Sequence, residues 1–523
     1  MTDAPTNSID SPIASGWSHR ILIAAIAGIF FLTLYPFRFS FARHWAGSVF
    51  PYVLASRGKD AGLLDAFLNV LLFVPFGFGL AESLRDRGKS WVATLGLTLA
   101  AGALLSYSIE FVQAYTPFRD SGWEDILTNS AGAVVGVLFF ELCGRSVLRT
   151  LSAGERALAT FLTLPRAAVV LFAYFAVWFA ISIPLQKESQ MTNWSPDALL
   201  VVGNAASGRL GSAWKGEILR LQIWDRALPR KSIQGLASRG SSKIVEPVPL
   251  AEYEFSGLSP FRDERHFLPD LSWTPSAPIL SAPEGTVLDG KSWLVSHGSV
   301  SALVKDFQRT QQFSVRIVCK PAEVDGGTGR IVSISRIPEP VNLEVRQDDS
   351  TLVFWLRSPL SIKRFKLAWR ISNVFTNTHP RDILFSYDGS NLSLYVDGKE
   401  ERAYRLGPGT VLAQLIRRIK PSELEGYHYI FYALVFLPAG CLLGLAWRNL
   451  VAQPISRYLF IVFGILPPAL MLEIILVRST GSAISLGNVV LGSLLGLAGS
   501  LWINAESGVF SRLTDSSTLK FGN

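Results

Sequence analysis

Eight apolar runs punctuate the chain, at about residues 21–40, 63–82, 91–112, 126–143, 166–185, 428–446, 457–476 and 484–503. Runs of about 17–22 residues are long enough, as helices, to cross a ~30 Å hydrocarbon layer. Between the fifth and sixth runs the pattern changes for roughly 240 residues. There "FSVRIVCK", "TLVFWL" and "NLSLYVDGK" alternate or run in β-branched and aromatic residues, and Asp388-Gly389 and Asp397-Gly398 mark turns. Short strands separated by such turns are an all-β signature. The pattern therefore predicts a polytopic α-helical membrane protein with an inserted all-β domain. Its segments read as an N-terminal tail over 1–20, a four-helix unit over 21–146, and an inner loop with the fifth span over 147–187. The β domain follows over 188–415, then the last three spans over 425–504 and a tail over 505–523.

Composition agrees with this reading. Of the 523 residues 49% are hydrophobic and only 17% charged, and mean hydropathy is +0.31; soluble domains carry about 25% charged residues. The net charge of +8 comes from Lys and Arg, many in short loops beside the apolar runs, and no nucleic-acid motif accompanies them. With the N-terminus inside, the inner side holds twelve of these: Arg20, Arg85, Arg87, Lys89, Arg145, Arg149, Arg156, Arg166, Arg448, Arg457, Arg512 and Lys520. The outer short loops hold six, namely Arg38, Arg43, Arg57, Lys59, Arg119 and Arg478. Positive charge favours the inner side, so both termini are expected in the cytoplasm and the β domain outside. The three Cys are far apart and the six His form no HExxH or HxxxH pair, so neither a disulfide framework nor a metal site is expected. The first twenty residues lack a basic n-region and a cleavage site, which makes the first span an expected uncleaved anchor.

The membrane part repeats itself in outline. Pro75 precedes Glu110 by 35 residues, and Pro438 precedes Glu473 by the same 35. Gly77 aligns with Gly440, Gly136 with Gly496, and Pro36 with Pro184. Two four-helix repeats are expected, with the β domain inserted after the first helix of the second.

The polar residues of the first unit fall at helix ends. Asp65 and Asn69 share a face at i,i+4, as do Asp125 and Asn129, while Glu110 and Gln113 stand at i,i+3. Arg119 lies in the short connection between the third and fourth spans. With the orientation above, all seven converge at the outer boundary. Ionisable groups at membrane depth are costly unless paired and suggest a functional site. A structural role is the competing expectation: Arg119 pairing with Glu110 or Asp120, and Asp125 favouring the N-terminus of the fourth helix. The second unit keeps Glu473 but has His428 and Tyr432 where the first has Asp65 and Asn69, Leu476 for Gln113, only a loose counterpart of Arg119 in Arg478, and no evident match to Asp125. On that basis the first unit is expected to carry the site and the second to serve as scaffold.

"LYPF", "DAFLNVLLFVPFGFGL" and "SIEFVQAYTPFRDSGWEDILTNSAGAVVG" resemble the VanZ-like family of bacterial membrane proteins, over residues of about 21–143. That resemblance implies an inner-membrane, cell-envelope protein connected with glycopeptide resistance or with polysaccharide and cell-wall biology. It brings no established reaction. "ILFSYDGSNLSLYVDGKE" and "LLVVGNAASGRLGSAWKGEILRLQIWDRALPRKSI" resemble the laminin-G or concanavalin A-like lectin/glucanase jelly roll. Their order, with the closing segment ahead of "FSVRIVCK", implies a circular permutation, and such domains bind glycans or proteins and some hold calcium. Trp214 is a candidate sugar-stacking aromatic, a core position being its alternative.

The leading functional expectation is recognition of a glycan or lipid-linked envelope component at the outer face. Glu110 and Asp125 would be charge partners or acceptors, Arg119 the contact to an anionic group, and Asn69, Gln113 and Asn129 hydrogen-bonding groups. The alternatives are a membrane-embedded enzyme on a lipid-linked saccharide, with Glu110 or Asp125 as acid-base residue, and a transporter. No cofactor is expected beyond a candidate calcium in the β domain. Expected partners are membrane lipids and the glycan or lipid-linked saccharide, not nucleic acid.

Overall fold

The computed structural model describes residues 12–35, 63–115, 122–238, 247–257, 259–275, 285–324, 327–337, 340–363, 368–416, 424–448 and 454–504. Among these, eight helices are long and apolar enough to cross a membrane. They lie in α1 (Pro12–Leu34), α2 (Leu63–Asp86), α3 (Trp91–Gln113) and the continuous helical stretch Trp123–Phe161 that begins with α4 (Trp123–Phe139), then in α6 (Leu164–Glu188), α7 (Leu424–Trp447), α8 (Pro454–Thr480) and α9 (Leu486–Asn504). The segment expected as an inner loop is largely helical. A π-helical turn at Phe140–Gly144 joins α4 to α5 (Arg145–Phe161). Pro75, Pro184 and Pro438 all sit inside helices.

The chain divides into two compact units. One comprises the described residues of Met1–Tyr174, Ala433–Pro467 and Gly492–Asn523; the other those of Phe175–Tyr432 and Pro468–Leu491.

In the first unit, α2 packs closely on α4 because small residues face each other. A Cβ on Gly77 would stand 2.0 Å from the Ala133 carbonyl oxygen, and one on Gly136 would stand 2.3 Å from that of Val74. Backbones can approach this closely only where side chains are absent. α3 adds a buried face of Thr94, Thr98, Gly102, Ser106 and Glu110, one residue every four, small until its last turn. Its start is capped by Ser90, whose hydroxyl accepts from the Ala93 N–H at 3.2 Å. The same close approach recurs between α7 and α9. A Cβ on Gly440 would lie 2.0 Å from the Gly496 carbonyl oxygen, and one on Gly499 2.3 Å from that of Leu437.

The second unit holds the β region. One seven-stranded sheet runs β11-β10-β9-β8-β1-β6-β4; the other runs β14-β13-β12-β7-β2-β3, with β5 also paired to β2. The strands are β1 (Leu199–Val202), β2 (Lys215–Trp224), β3 (Ala251–Glu254), β4 (Leu271–Thr274), β5 (Thr286–Asp289), β6 (Trp293–Ser296) and β7 (Phe313–Pro321). Then come β8 (Thr328–Ser335), β9 (Val341–Asp348), β10 (Thr351–Leu356), β11 (Ala368–Ile371), β12 (Arg381–Tyr387), β13 (Asn391–Val396) and β14 (Lys399–Arg405). Every pairing between these strands is antiparallel. The expected Asp-Gly turn at Asp397-Gly398 joins β13 to β14 with φ of +50° and +78°, the two left-handed residues that suit a tight hairpin. The core between the sheets is aromatic: Phe354 stacks on Phe385 with centroids 4.2 Å apart. Trp214 is core, not a stacking platform. It is 1% exposed and its indole N–H donates to Gln347 Oε1 at 2.7 Å.

Also in the second unit, the β region contacts helix ends. Gln190 Nε2 donates to the Ser479 carbonyl at 2.5 Å, and Gln312 Nε2 to that of Gly481 at 2.6 Å.

Candidate functional site

Alternating helices bring the C-terminal ends of α1 and α3 together with the N-terminal ends of α2 and α4. Asn69 Nδ2 donates to Asp125 Oδ1 at 2.7 Å, linking the second turn of α2 to the first turn of α4. Glu110, 2% exposed at the end of α3, accepts the Gly122 N–H on Oε2 at 3.0 Å. Gly122 immediately precedes α4, so the carboxylate sits where the helix dipole favours negative charge. Gln113 Nε2 donates to the Thr33 carbonyl at 2.9 Å and ties α3 to α1. One turn deeper, Asn129 Nδ2 donates to Ser106 Oγ at 2.9 Å. Asn129 is 3% exposed and its Oδ1 has no hydrogen-bond partner among the described residues.

Of the seven sequence-derived candidates, five thus cluster along one end of α1–α4. Asp65 is exposed, and no hydrogen bond joins it to the others among the described residues. Arg119 lies outside the described residues. The cluster is rich in acceptors: a carboxylate on α3, another on α4, and an uncommitted amide oxygen.

A second polar cluster lies in the other unit, where sequence reasoning expected scaffold. Glu473, 4% exposed, accepts three hydrogen bonds: Ser485 N–H to Oε1 at 2.9 Å, and Tyr432 Oη and Asn488 Nδ2 to Oε2 at 3.1 Å each. His428 Nε2 lies 3.1 Å from Asn488 Oδ1. Arg405 at the end of β14 donates from Nε to Asn391 Oδ1 at 3.2 Å and from one terminal nitrogen to Asn488 Oδ1 at 3.4 Å. These groups, with Gln186, Asp388, Ser390, Ser482 and Ser485, line a cavity of about 70 Å³.

Spacing was the signal that would have found Asn488. It stands fifteen residues after Glu473, as Asp125 does after Glu110. Aligning Gly136 with Gly496 shifts the last helix by most of a turn and hides the match. The contacts of Gly136 and Gly499 are the equivalent ones. Arg405 and Gln186 had no such signal, because only the fold carries them to the helix ends.

Comparison with known proteins reaches the first four helices. No curated protein and no solved structure matches the chain at a significant level. Residues 14–144, about a quarter of the chain, match the family model described as VanZ/LLP1. The chain is a multi-pass membrane protein whose first four-helix segment is VanZ-like.

Proposed function

We propose that the protein is a bacterial inner-membrane, cell-envelope protein that recognises a glycan or lipid-linked component at the outer face of the membrane. The observation that carries this reading is the convergence of Asn69, Asp125 and Glu110 at one end of α2, α3 and α4. The distribution of Lys and Arg favours an orientation with that end outside and both termini in the cytoplasm. A partly buried acceptor-rich set at headgroup level suits the hydroxyl and amide donors of an amphiphilic ligand. Glu110 and Asp125 each receive hydrogen bonds from the protein itself, which suits orienting acceptors better than an unencumbered base.

Two finer readings support this placement. The helical part is two four-helix repeats: Glu110 and Glu473 each accept the N–H of the residue twelve positions on, and a Cβ built on Gly77 or on Gly440 would stand the same 2.0 Å from its partner carbonyl oxygen. The β region is an outward, circularly permuted concanavalin A-like jelly roll. Two antiparallel sheets support it, as does the direct pairing of β2, from the expected closing segment, with β7, the expected opening strand. First and last strands of such sandwiches lie side by side, so a permutation and an insertion between two helices are both easy to build.

The experiment is substituted-cysteine labelling with a membrane-impermeant thiol reagent on intact spheroplasts. Cysteines placed at Ser207 and Ser121 should label from outside, and one placed at Ser146 should not. Labelling of Ser146→Cys but neither of the others would invert the protein and remove the outer site. In parallel, Asn69→Ala and Glu110→Gln should weaken retention of envelope glycolipid extracted with the purified protein.

A further inference from the structure

The polar cavity of the second unit is built from chain far apart in sequence. Gln186 comes from the end of α6, His428 and Tyr432 from the start of α7, and Glu473 from the end of α8. Asn488 comes from the start of α9, Asp388 and Asn391 from the β12–β13 turn, and Arg405 from β14. Polar side chains dominate the lining, although apolar helices meet here. Burial of so many polar groups is costly unless they are satisfied or serve a ligand.

Three of them have capacity to spare. Gln186 is 1% exposed; its Nε2 donates to the Gly389 carbonyl at 3.2 Å, yet no hydrogen bond reaches its Oε1 among the described residues. That oxygen lies 3.8 Å from where a Cβ on Gly407 would stand, and both residues line the cavity. Arg405 uses two of its five N–H groups on amide oxygens and makes no ion pair among the described residues. Asp388 accepts from the Ser390 and Asn391 N–H groups on Oδ1 and from Asn391 Nδ2 on Oδ2, leaving that second oxygen with acceptor capacity.

The charge balance selects the ligand class. Two carboxylates, Asp388 and Glu473, line the cavity against one guanidinium, Arg405. An isolated phosphate or carboxylate would meet like charge on two sides. A simple cation would face carboxylates whose oxygens already accept several hydrogen bonds. A hydroxyl both donates and accepts, so it pairs with Gln186 Oε1 or Asp388 on one side and Arg405 on the other. The rings of His428 and Tyr432, with centroids 4.7 Å apart and planes tilted by 47°, put aromatic surface in the lining against which the C–H groups of a pyranose can pack. We propose that this cavity binds vicinal hydroxyls of a pyranose, with Arg405 donating and Gln186 and Asp388 accepting. The sugar comes either from a free glycan or from a glycolipid headgroup. None of the residues belongs to α1–α4, so the assignment stands or falls independently of the first site.

The test uses the full-length protein in nanodiscs. Saturation-transfer NMR is recorded with glucose, galactose, mannose and N-acetylglucosamine, and retention is measured in nanodiscs containing a monoglycosyl diacylglycerol. Transfer to a free sugar identifies a glycan end; retention of the glycolipid alone identifies a lipid-linked one. In either case Arg405→Gln and Gln186→Met should weaken binding by about tenfold or more, while Gly28→Ala, a position with nothing near its Cβ, should not. Circular dichroism and the melting temperature report whether each variant folds. If Arg405→Gln does not fold, Gln186→Met decides alone. The proposal is overturned if no probe binds, if binding survives the variants, or if inorganic phosphate binds through Arg405 where sugars do not. It is also overturned if glycolipid retention responds to Asn69→Ala and not to Arg405→Gln.

Discussion

Glu110 and Glu473 are buried carboxylates that each accept a backbone N–H just ahead of the next helix. A hydrogen bond to a charged group contributes about 1.5–3 kcal/mol, and its loss leaves a buried donor unpaired. Glu110→Ala should therefore lower the stability of the detergent-solubilised protein by about that amount, whereas Glu110→Gln, which keeps an acceptor, should cost less than half. A smaller loss for the alanine variant than for the glutamine one would contradict the geometry. Cys319 gives a second test. Burial, reinforced by Asp382 and Asp397, pushes its thiol up to about 12. Only thiolates react appreciably with alkylating reagents, so the folded protein should leave Cys319 unmodified up to about pH 10, and unfolding should expose it. The raised value ties the fold to the protonated thiol, a contribution measured relative to alkaline pH. That contribution is present below the unfolded thiol's own range, near 9, and is lost as pH rises towards 12, at most about 1.4 kcal/mol per pH unit. Acid should not remove it. Cys319→Ala should flatten the alkaline slope measured by denaturant unfolding. The identity of these residues was plain in the sequence, and the i,i+4 spacing placed Asn69, Asp125 and Asn129 on helix faces. Which of them bond to each other was not, because that depends on the rotation of three helices about their axes.

At the scale of elements, helix contacts are set by missing side chains. A methyl group on Gly77 or Gly440 would enter the space of a backbone carbonyl, and backbone cannot step aside as a flexible side chain can. Overpacking of this kind costs about 1–3 kcal/mol. Gly77→Ala and Gly440→Ala should each lower the melting temperature, read by fluorescence in detergent, with Gly28→Ala unchanged as control. Similar losses at both positions would also strengthen the two-repeat reading, since those glycines align. The sequence showed these small residues and their spacing directly. A Gly every few residues offers several registers, and on the two-repeat reading it is the contacts of Gly499, not Gly496, that match those of Gly136. The β region behaves in the opposite way. Strand existence and the Asp397-Gly398 hairpin were legible from local pattern and turn chemistry. The order β14-β13-β12-β7-β2-β3 was not, because pairings such as β2 with β7 join residues nearly a hundred positions apart.

At the scale of the molecule, one ion cluster joins distant parts of the first unit. Glu155 on α5 accepts from Arg20 of α1 at 2.8 Å and from Arg448, just beyond α7, at 2.5 Å; its side chain is 7% exposed. Arg448 continues to Asn504 Oδ1 and the Ile503 carbonyl at the end of α9. Removing one member of a buried ion cluster strands the others, at a cost of about 3–5 kcal/mol. Glu155→Ala should thus be severely destabilising, and more so than Arg448→Ala, which leaves Arg20 and Glu155 paired. Equal effects would show that Glu155 is not the hub that holds the two arginines. The sequence reading placed Arg20, Arg156 and Arg448 together on the inner side by counting charge, but assigned them only to orientation. Glu155 was invisible to that argument, since one acidic residue among many basic ones carries no periodic signal.

The sequence by itself determined the solvent of each segment: which stretches suit hydrocarbon, which form strands, and which polar residues stand at helix ends. Those properties are local, written in hydropathy, periodicity and turn residues within a window of about twenty positions. The tertiary structure alone decided the partners. It turned Trp214 into the core, tied Asn69 to Asp125, joined Glu155 to two arginines, and assembled a polar cavity from four helix ends and the sheet that meets them. Partner choice depends on helix rotation and strand pairing across hundreds of residues, and no single stretch of chain encodes either.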